Sequence, residues 1–327
     1  MEKNGKFVIS LDFELLWGMR DKKTSKTYRQ NILSVWEVLP KIIEAFEKHN
    51  VRGTFATVGF LFASNKEELI KFSPANKPKY LDQNLSPYNG HFDLVKENQK
   101  FDRFHFASDL ISLLQKYPNQ EIATHTFSHY YCLEKGQTIN DFKSDILAAQ
   151  EIAKAKGISL KSLVFPRNQF NEEYLDCLEE LGITAYRGNE KVWFHNPSSG
   201  EGENLFKRGF RFIDRYINIS GNNCYDLESL STKIPHDIPS SRFLSPFSPK
   251  LKILDKLRFR RIKMSMTYAA KNNKIFHLWW HPHNFSIHQK ENFLFLNKIL
   301  LHYNHLNAKF GFESLSMNDL SVLLKTK

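Results

Sequence analysis

Asp12 and Glu14 stand two residues apart in SLDFE, and on an extended strand this spacing points both carboxylates to one face while Phe13 points to the other. His125 and His129 stand four apart in HTFSH, a spacing that puts two imidazoles on one side of a helical turn. Two imidazoles and one carboxylate form a donor set used by catalytic divalent-metal sites, with positions left open for water or substrate. One of the two acids would then ligate, and the other would stay free to take a proton. Two more polar groups come after apolar runs in the same way. Arg167 comes after SLVF and a proline, and His281 after IFHLWW, with His283 two residues further on.

These residues can act together only if the fold gathers them, and the chain carries a pattern that would. Short β-rich runs read as strands at 7–11, 53–58, 121–124, 162–165, 183–186, 210–213, 275–280 and 312–315. Segments with apolar residues three and four apart lie between most of them. Examples are Ile32, Val35, Trp36, Leu39, Ile42, Ile43 and Phe46, and then Phe142, Ile146, Ala149, Ile152 and Ala153. In the second, Asn140 is the expected N-cap and Gly157 the expected C-cap. Such alternation predicts a parallel α/β fold, either an open sheet or a barrel. The carboxyl ends of its strands share one face, where ligands bind. Asp12, His125, Arg167 and His281 all come after strands and would meet there.

Two stretches break the alternation, at about 73–103 and 188–249, and strand-helix units resume after each. The expected organisation is one domain over 1–327 with two insertions. A loop as long as 73–103 inside a compact domain is usually a lid or a binding loop, and it is expected to wall the site. No apolar run reaches the ~18–20 residues of a membrane-spanning helix, and the N-terminus meets Asp12 too early to be a signal peptide. Three well-separated cysteines, Cys132, Cys177 and Cys224, read as reduced thiols, so the expected location is cytoplasmic. Aromatic residues make up 14% of the chain, which excludes a disordered protein.

In this order, SLDFE, THTFSH, FPRNQF and LWWHPHNF resemble the motifs of the polysaccharide deacetylases, carbohydrate esterase family 4 or the NodB-homology group, over about residues 6–285. HTFSH fits the family's H-(S/T)-x-x-H metal motif. SLDFE stands where the family usually has T-F-D-D-G, so the chain resembles a divergent branch with D-F-E in place of D-D. The resemblance implies a distorted (β/α) barrel with fewer than eight strands. It also implies a divalent metal, zinc first, held by Glu14, His125 and His129, since Phe13 occupies the usual ligand place. Asp12 would be the catalytic base, His281 the proton donor in preference to His283, and Arg167 the group that keeps Asp12 ionised. Trp17, Trp280 and His283 are the expected substrate contacts. His277 shares a strand face with Trp279 and His281 and reads as a core residue.

The net charge is +11, and residues 250–274 alone contribute +8 of it. Residues 250–271 read as a basic amphipathic helix that either presents a solvated basic face or meets an anionic surface, a membrane or a carrier-linked sugar diphosphate. No nucleic-acid motif accompanies it. The expected function is metal-dependent removal of an N-acetyl group from a sugar, nucleotide- or lipid-linked, in cell-surface polysaccharide biosynthesis. The alternatives are a hydrolase of the same fold acting on a cyclic amide or imide, and a non-catalytic carbohydrate-binding relative.

Overall fold

The computed structural model describes residues 4–196, 199, 205–230 and 233–325. Among these, ten strands belong to one sheet: β1 (Lys6–Phe13), β2 (Gly53–Thr57), β3 (Glu121–Thr124), β4 (Ser162–Val164), β5 (Ala185–Arg187), β6 (Tyr225–Asp226), β7 (His236–Asp237), β8 (Arg242–Phe243), β9 (Lys274–Trp280) and β10 (Glu313–Leu315). The helices are α1 (Arg29–Leu33), α2 (Val35–Lys48), α3 (Lys66–Phe72), α4 (Ser108–Leu114), α5 (Ile139–Ala155), α6 (Leu175–Glu180), α7 (Leu205–Asp214), α8 (Asp255–Lys271), α9 (Gln289–Phe310) and α10 (Met317–Lys325).

Strands β9, β1, β2, β3, β4 and β5 lie side by side and all pair in parallel. The sheet then curls back on itself through one stretch of chain. Residues 236–237 pair with β5, and residues 242–243, five positions on, pair with β9. Within that crossing the Ser240 amide donates to Gly188 O at 2.9 Å and the Ser241 amide to His277 O at 2.8 Å. The outcome is a distorted α/β barrel, the fold class that the alternation and the resemblance implied.

Every residue of β1 is buried because both faces of a central parallel strand are covered. Phe7, Ile9, Leu11 and Phe13 face outward into a large cluster shared with α2, α4, α5, α8 and α9. Val8 faces inward with Ala56, Ala123, Val164, Ala185, Ile238 and Ile275, mostly small residues that fit a narrow interior. Leu315, Met317 and Leu320 add to this inner cluster, so α10 plugs the end of the barrel away from Asp12. The stripe Val35, Val38, Leu39, Ile42, Ile43 and Phe46 of α2 is buried, as its spacing predicts.

Several expectations need correction. Residues 210–213 lie in α7, where the Phe206 and Phe210 rings meet edge to face with centroids 4.8 Å apart. Alternation over four residues cannot be told from an i, i+4 pair without more context. Helix α5 is capped by Thr138, in a reciprocal box with Asp141, and not by Asn140, although Gly157 does come after its end with φ +76°. The basic helix is a 3-10 turn, Pro249–Leu254, leading into α8. Its face is only partly solvated. Arg258 is buried, donates to Pro246 O at 3.0 Å and stacks on Phe295 at 4.0 Å. Arg261 is buried as well, 3.5 Å from Asp214.

Candidate metal and catalytic centre

Strand β1 delivers Asp12 and Glu14 to the same side, with Phe13 turned into the outer cluster. Asp12 is buried and gripped at both oxygens by Arg187, whose Nη1 donates to Oδ1 at 2.6 Å and Nη2 to Oδ2 at 2.8 Å. Arg187 ends β5, also donates to Ser10 Oγ at 3.0 Å and Asn168 Oδ1 at 2.9 Å, and lies over the Trp279 ring at 4.2 Å. Burial pushes the Asp12 carboxyl up, but Arg187 first, then His125 and His281, bring it below the ordinary carboxylate value.

Arg187 therefore holds the place expected of Arg167. Arg167 pairs instead with Asp21 and stacks on Tyr131 at 4.2 Å. Its backbone φ of +55° turns the side chain into this pairing. The signal for Arg187 was in the sequence, since it ends a strand run much as Asp12 and His281 do.

Glu14 sits beyond the strand end beside both histidines. Its Oε2 lies 3.0 Å from His129 Nε2 and 3.4 Å from His125 Nε2. Burial raises its carboxyl, but His281, His125 and His129 together hold it well below the usual range. Gly18 makes the room. A Cβ there would stand 2.0 Å from Glu14 Cδ.

The HTFSH segment is a loop and not a helical turn, with Thr126 and His129 in left-handed backbone at φ +62° and +57°. Buried Asp145 of α5 holds the loop by accepting from the Phe127 amide at 2.6 Å, the Ser128 amide and the Ser128 hydroxyl. Each imidazole is oriented through its other nitrogen. His125 Nδ1 donates to Val164 O at 2.8 Å, and His129 Nδ1 lies 3.2 Å from Tyr131 Oη. Both Nε2 atoms are thereby turned toward Glu14, the orientation that ligating histidines receive from their surroundings. Burial drives His129 down to about 3, so the ring is neutral.

One ligand atom each from Glu14, His125 and His129 falls within a sphere where all lie within 4.8 Å of one another, and all three residues are buried. A buried carboxylate between two inward-turned imidazoles fits a divalent cation, and such a cation would relieve the cost of burying that charge. The donor set does not choose among the metals that accept nitrogen and oxygen ligands.

His281 comes directly after β9, with Nε2 3.6 Å from Asp12 Oδ2 and 3.8 Å from Glu14 Oε1, and its side chain is 23% exposed. His283 is buried, with Nδ1 3.9 Å from Glu14 Oε1, and burial together with the His281 charge lowers it to about 4. His277 is a core residue, as its strand face predicts, with Nε2 2.8 Å from Ser10 Oγ.

Trp17 and Trp280 are not available to a ligand. Trp17 is fully buried, donates to His105 O at 2.8 Å and packs on Phe60 at 4.5 Å. Trp280 is fully buried against Phe46 and Phe285 on the outward face of β9. Trp279 shares the inward face with His281 and lines a cavity of about 740 Å³ that opens onto His281. Arg167, Asn168, Glu190, Arg215 and Phe243 line it too. The cavity walls thus come largely from the second insertion. Residues 73–103 line none of it and instead brace the far side of the centre, where Arg20 reaches Leu85 O and Tyr80 Oη accepts from the Tyr131 amide at 2.9 Å.

No curated protein matches this chain in sequence. Residues 34–186 match the family model described as polysaccharide deacetylase, a span that holds His125, His129 and Arg167. Solved structures similar to it include a Mycobacterium smegmatis protein assigned as a polysaccharide deacetylase, at 11% identity and a TM-score of 0.61 over 99% of this chain and 92% of that one. A Pseudomonas aeruginosa protein of the same assignment aligns at 9% identity and a TM-score of 0.54, over 97% and 89% of the two chains. The PuuE allantoinase aligns at 10% identity and a TM-score of 0.54, over 98% and 90%. Residues 34–186 thus match the polysaccharide deacetylase model, and the chain as a whole shares its barrel fold with these solved structures.

Proposed function

We propose that this protein is a metal-dependent hydrolase that removes the N-acetyl group from a sugar. The observation that carries the reading is the separation of two acids at one strand end. Glu14 sits among imidazole nitrogens, whereas Asp12 is held apart by the Arg187 fork and stays free to act as a base. A divalent ion on Glu14, His125 and His129, zinc first, would supply polarisation of the acyl oxygen and a lowered pKa of bound water. Asp12 takes a proton from the attacking water, and Arg187 keeps it ionised and aimed. His281, the partly exposed imidazole beside Asp12, returns a proton to the leaving amine. Trp279 offers a ring face on the cavity wall for a pyranose.

The open cavity of about 740 Å³ suits a sugar better than a small cyclic amide, which a sealed pocket would serve. The setting we propose for it is cell-surface polysaccharide assembly. Acetate release from a panel of N-acetyl sugars, with metal analysis of the wild type beside His125→Ala and His129→Ala, is the test. Bound metal and acetate release in the wild type, both lost in the two variants, are expected. Equal metal content in all three proteins would overturn the reading.

A further inference from the structure

The cavity beside His281 carries more positive charge than its own acids neutralise. Six cationic side chains line it, Lys22, Arg167, Arg208, Arg211, Arg215 and Arg242, against Glu190 and Asp214. Arg167 is paired with Asp21 and Arg242 with Asp214. Glu190, pushed up to about 7 chiefly by burial, lies 3.3 Å from His195 and neutralises little. Among the described residues, neither Arg208 nor Arg215 has a carboxylate partner.

Arg208, Arg211 and Arg215 succeed one another at three- and four-residue spacing, which sets them on one face of α7 and its immediate continuation. Arg215 is half-buried and held between the rings of Phe212 and Phe243, each 5.9 Å from its guanidinium carbon. Like charges crowded on one helix face repel, and an anion bound among them would remove that cost. A single carboxylate needs one guanidinium fork, whereas two forks with no carboxylate partner among the described residues, near Lys22, match the higher charge and several acceptor oxygens of a phosphate.

We infer that Arg208 and Arg215 form a subsite for a phosphate group carried by the substrate. The target would then be an N-acetyl sugar bearing a phosphate or diphosphate on its anomeric carbon. The identity of the sugar part rests on the deacetylase reading, while the anion subsite stands on the cavity alone. The same helix exposes Leu205, Phe206 and Phe212, so both a nucleotide-borne and a lipid-borne phosphate belong in the test.

The experiment compares binding of N-acetylglucosamine 1-phosphate and of neutral N-acetylglucosamine to the metal-loaded protein by calorimetry. The wild type should bind the phosphorylated probe about 10-fold tighter or more, the scale of a charge-assisted contact. Arg208→Gln and Arg215→Gln, singly and together, should shrink that advantage, as should about 0.5 M salt. Arg208 is exposed, so its variant keeps the test alive should Arg215→Gln not fold, which thermal melting reports. Equal affinity for the two probes in the wild type, or an advantage untouched by both substitutions, would overturn the inference.

Acetate release is then compared between a nucleoside-diphosphate-linked and a polyprenyl-phosphate-linked N-acetyl sugar, and faster turnover of either over the neutral sugar supports the subsite and identifies its source. Acetate released as readily from the neutral sugar as from both overturns the subsite and keeps the deacetylase. Phosphate-selective binding without acetate from any sugar keeps the subsite and sinks the deacetylase reading.

Discussion

At the scale of single residues, the centre turns on a division of labour between two acids only two positions apart. Glu14 faces nitrogen atoms and Asp12 faces a guanidinium, so one is placed to ligate and the other to take protons. Asp12→Asn should keep the metal while turnover falls ~10²-fold or more, the usual contribution of a positioned base. Glu14→Gln should instead weaken metal binding, with activity partly restored by added metal. Metal analysis beside acetate release checks both, and the opposite pattern would exchange the two roles. Arg187→Lys belongs to the same test. It keeps the charge but loses the fork, and should cost roughly 10-fold or more in turnover with metal retained.

At the scale of elements, loops place the ligands and the strands only carry them to the right end of the barrel. The 125–129 loop is held by Asp145 reaching up from α5, and Glu14 is held in a space that Gly18 leaves vacant. Gly18→Ala should push the Glu14 carboxylate out of line and lower metal affinity ~10–100-fold, as loss of a supporting group around a ligand commonly does. Titration with a metal-competing dye measures this, and an unchanged affinity would show that the turn can yield. The first insertion also changes meaning at this scale. Tyr80 and Leu85 are buried, so 73–103 packs as a brace and not as a lid.

At the scale of the molecule, closure of the barrel by residues 236–243 sets polar groups such as Ser10 and His277 in a buried interior. His277 is the clearest case, fully buried between Ser10 and Ile238 O, where burial lowers it from 6.5 to about 3. A histidine lowered this far stabilises the fold while neutral, so its contribution is complete above pH ~6.5 and is lost as pH falls toward the folded value. His277→Gln removes the titration. Its stability deficit against the wild type should therefore narrow on acidification, by about 1.4 kcal/mol per pH unit below ~6.5. Urea unfolding of both proteins at pH 7.0, 6.0 and 5.0 checks it, and a deficit constant with pH would mean that His277 is not held neutral.

Much of this protein was legible in its sequence. Parallel strands announce themselves as short apolar runs, and the same geometry gathers the residues at the carboxyl end of each run on one face. Asp12, Glu14, His125, His129 and His281 could therefore be expected at one end of the barrel from their places along the chain, which is where the structure gathers them. The parity of β9 set Trp279 on one face with His281, yet Trp280, which the same parity turns away, was the ring expected to meet substrate. Asp145, an acid beside Phe142 and Ile146 on the buried stripe of α5, went unread, although its place among apolar residues was there to notice. Partnership was not legible. Arg167 and Arg187 each stand at a strand end, and only the curl of the sheet brings the second to Asp12 while a left-handed turn sends the first to Asp21. The cavity wall was hidden for a related reason. Insertions have no periodicity to read, so which of the two faces the centre depends on long-range packing, and only the tertiary structure decided it.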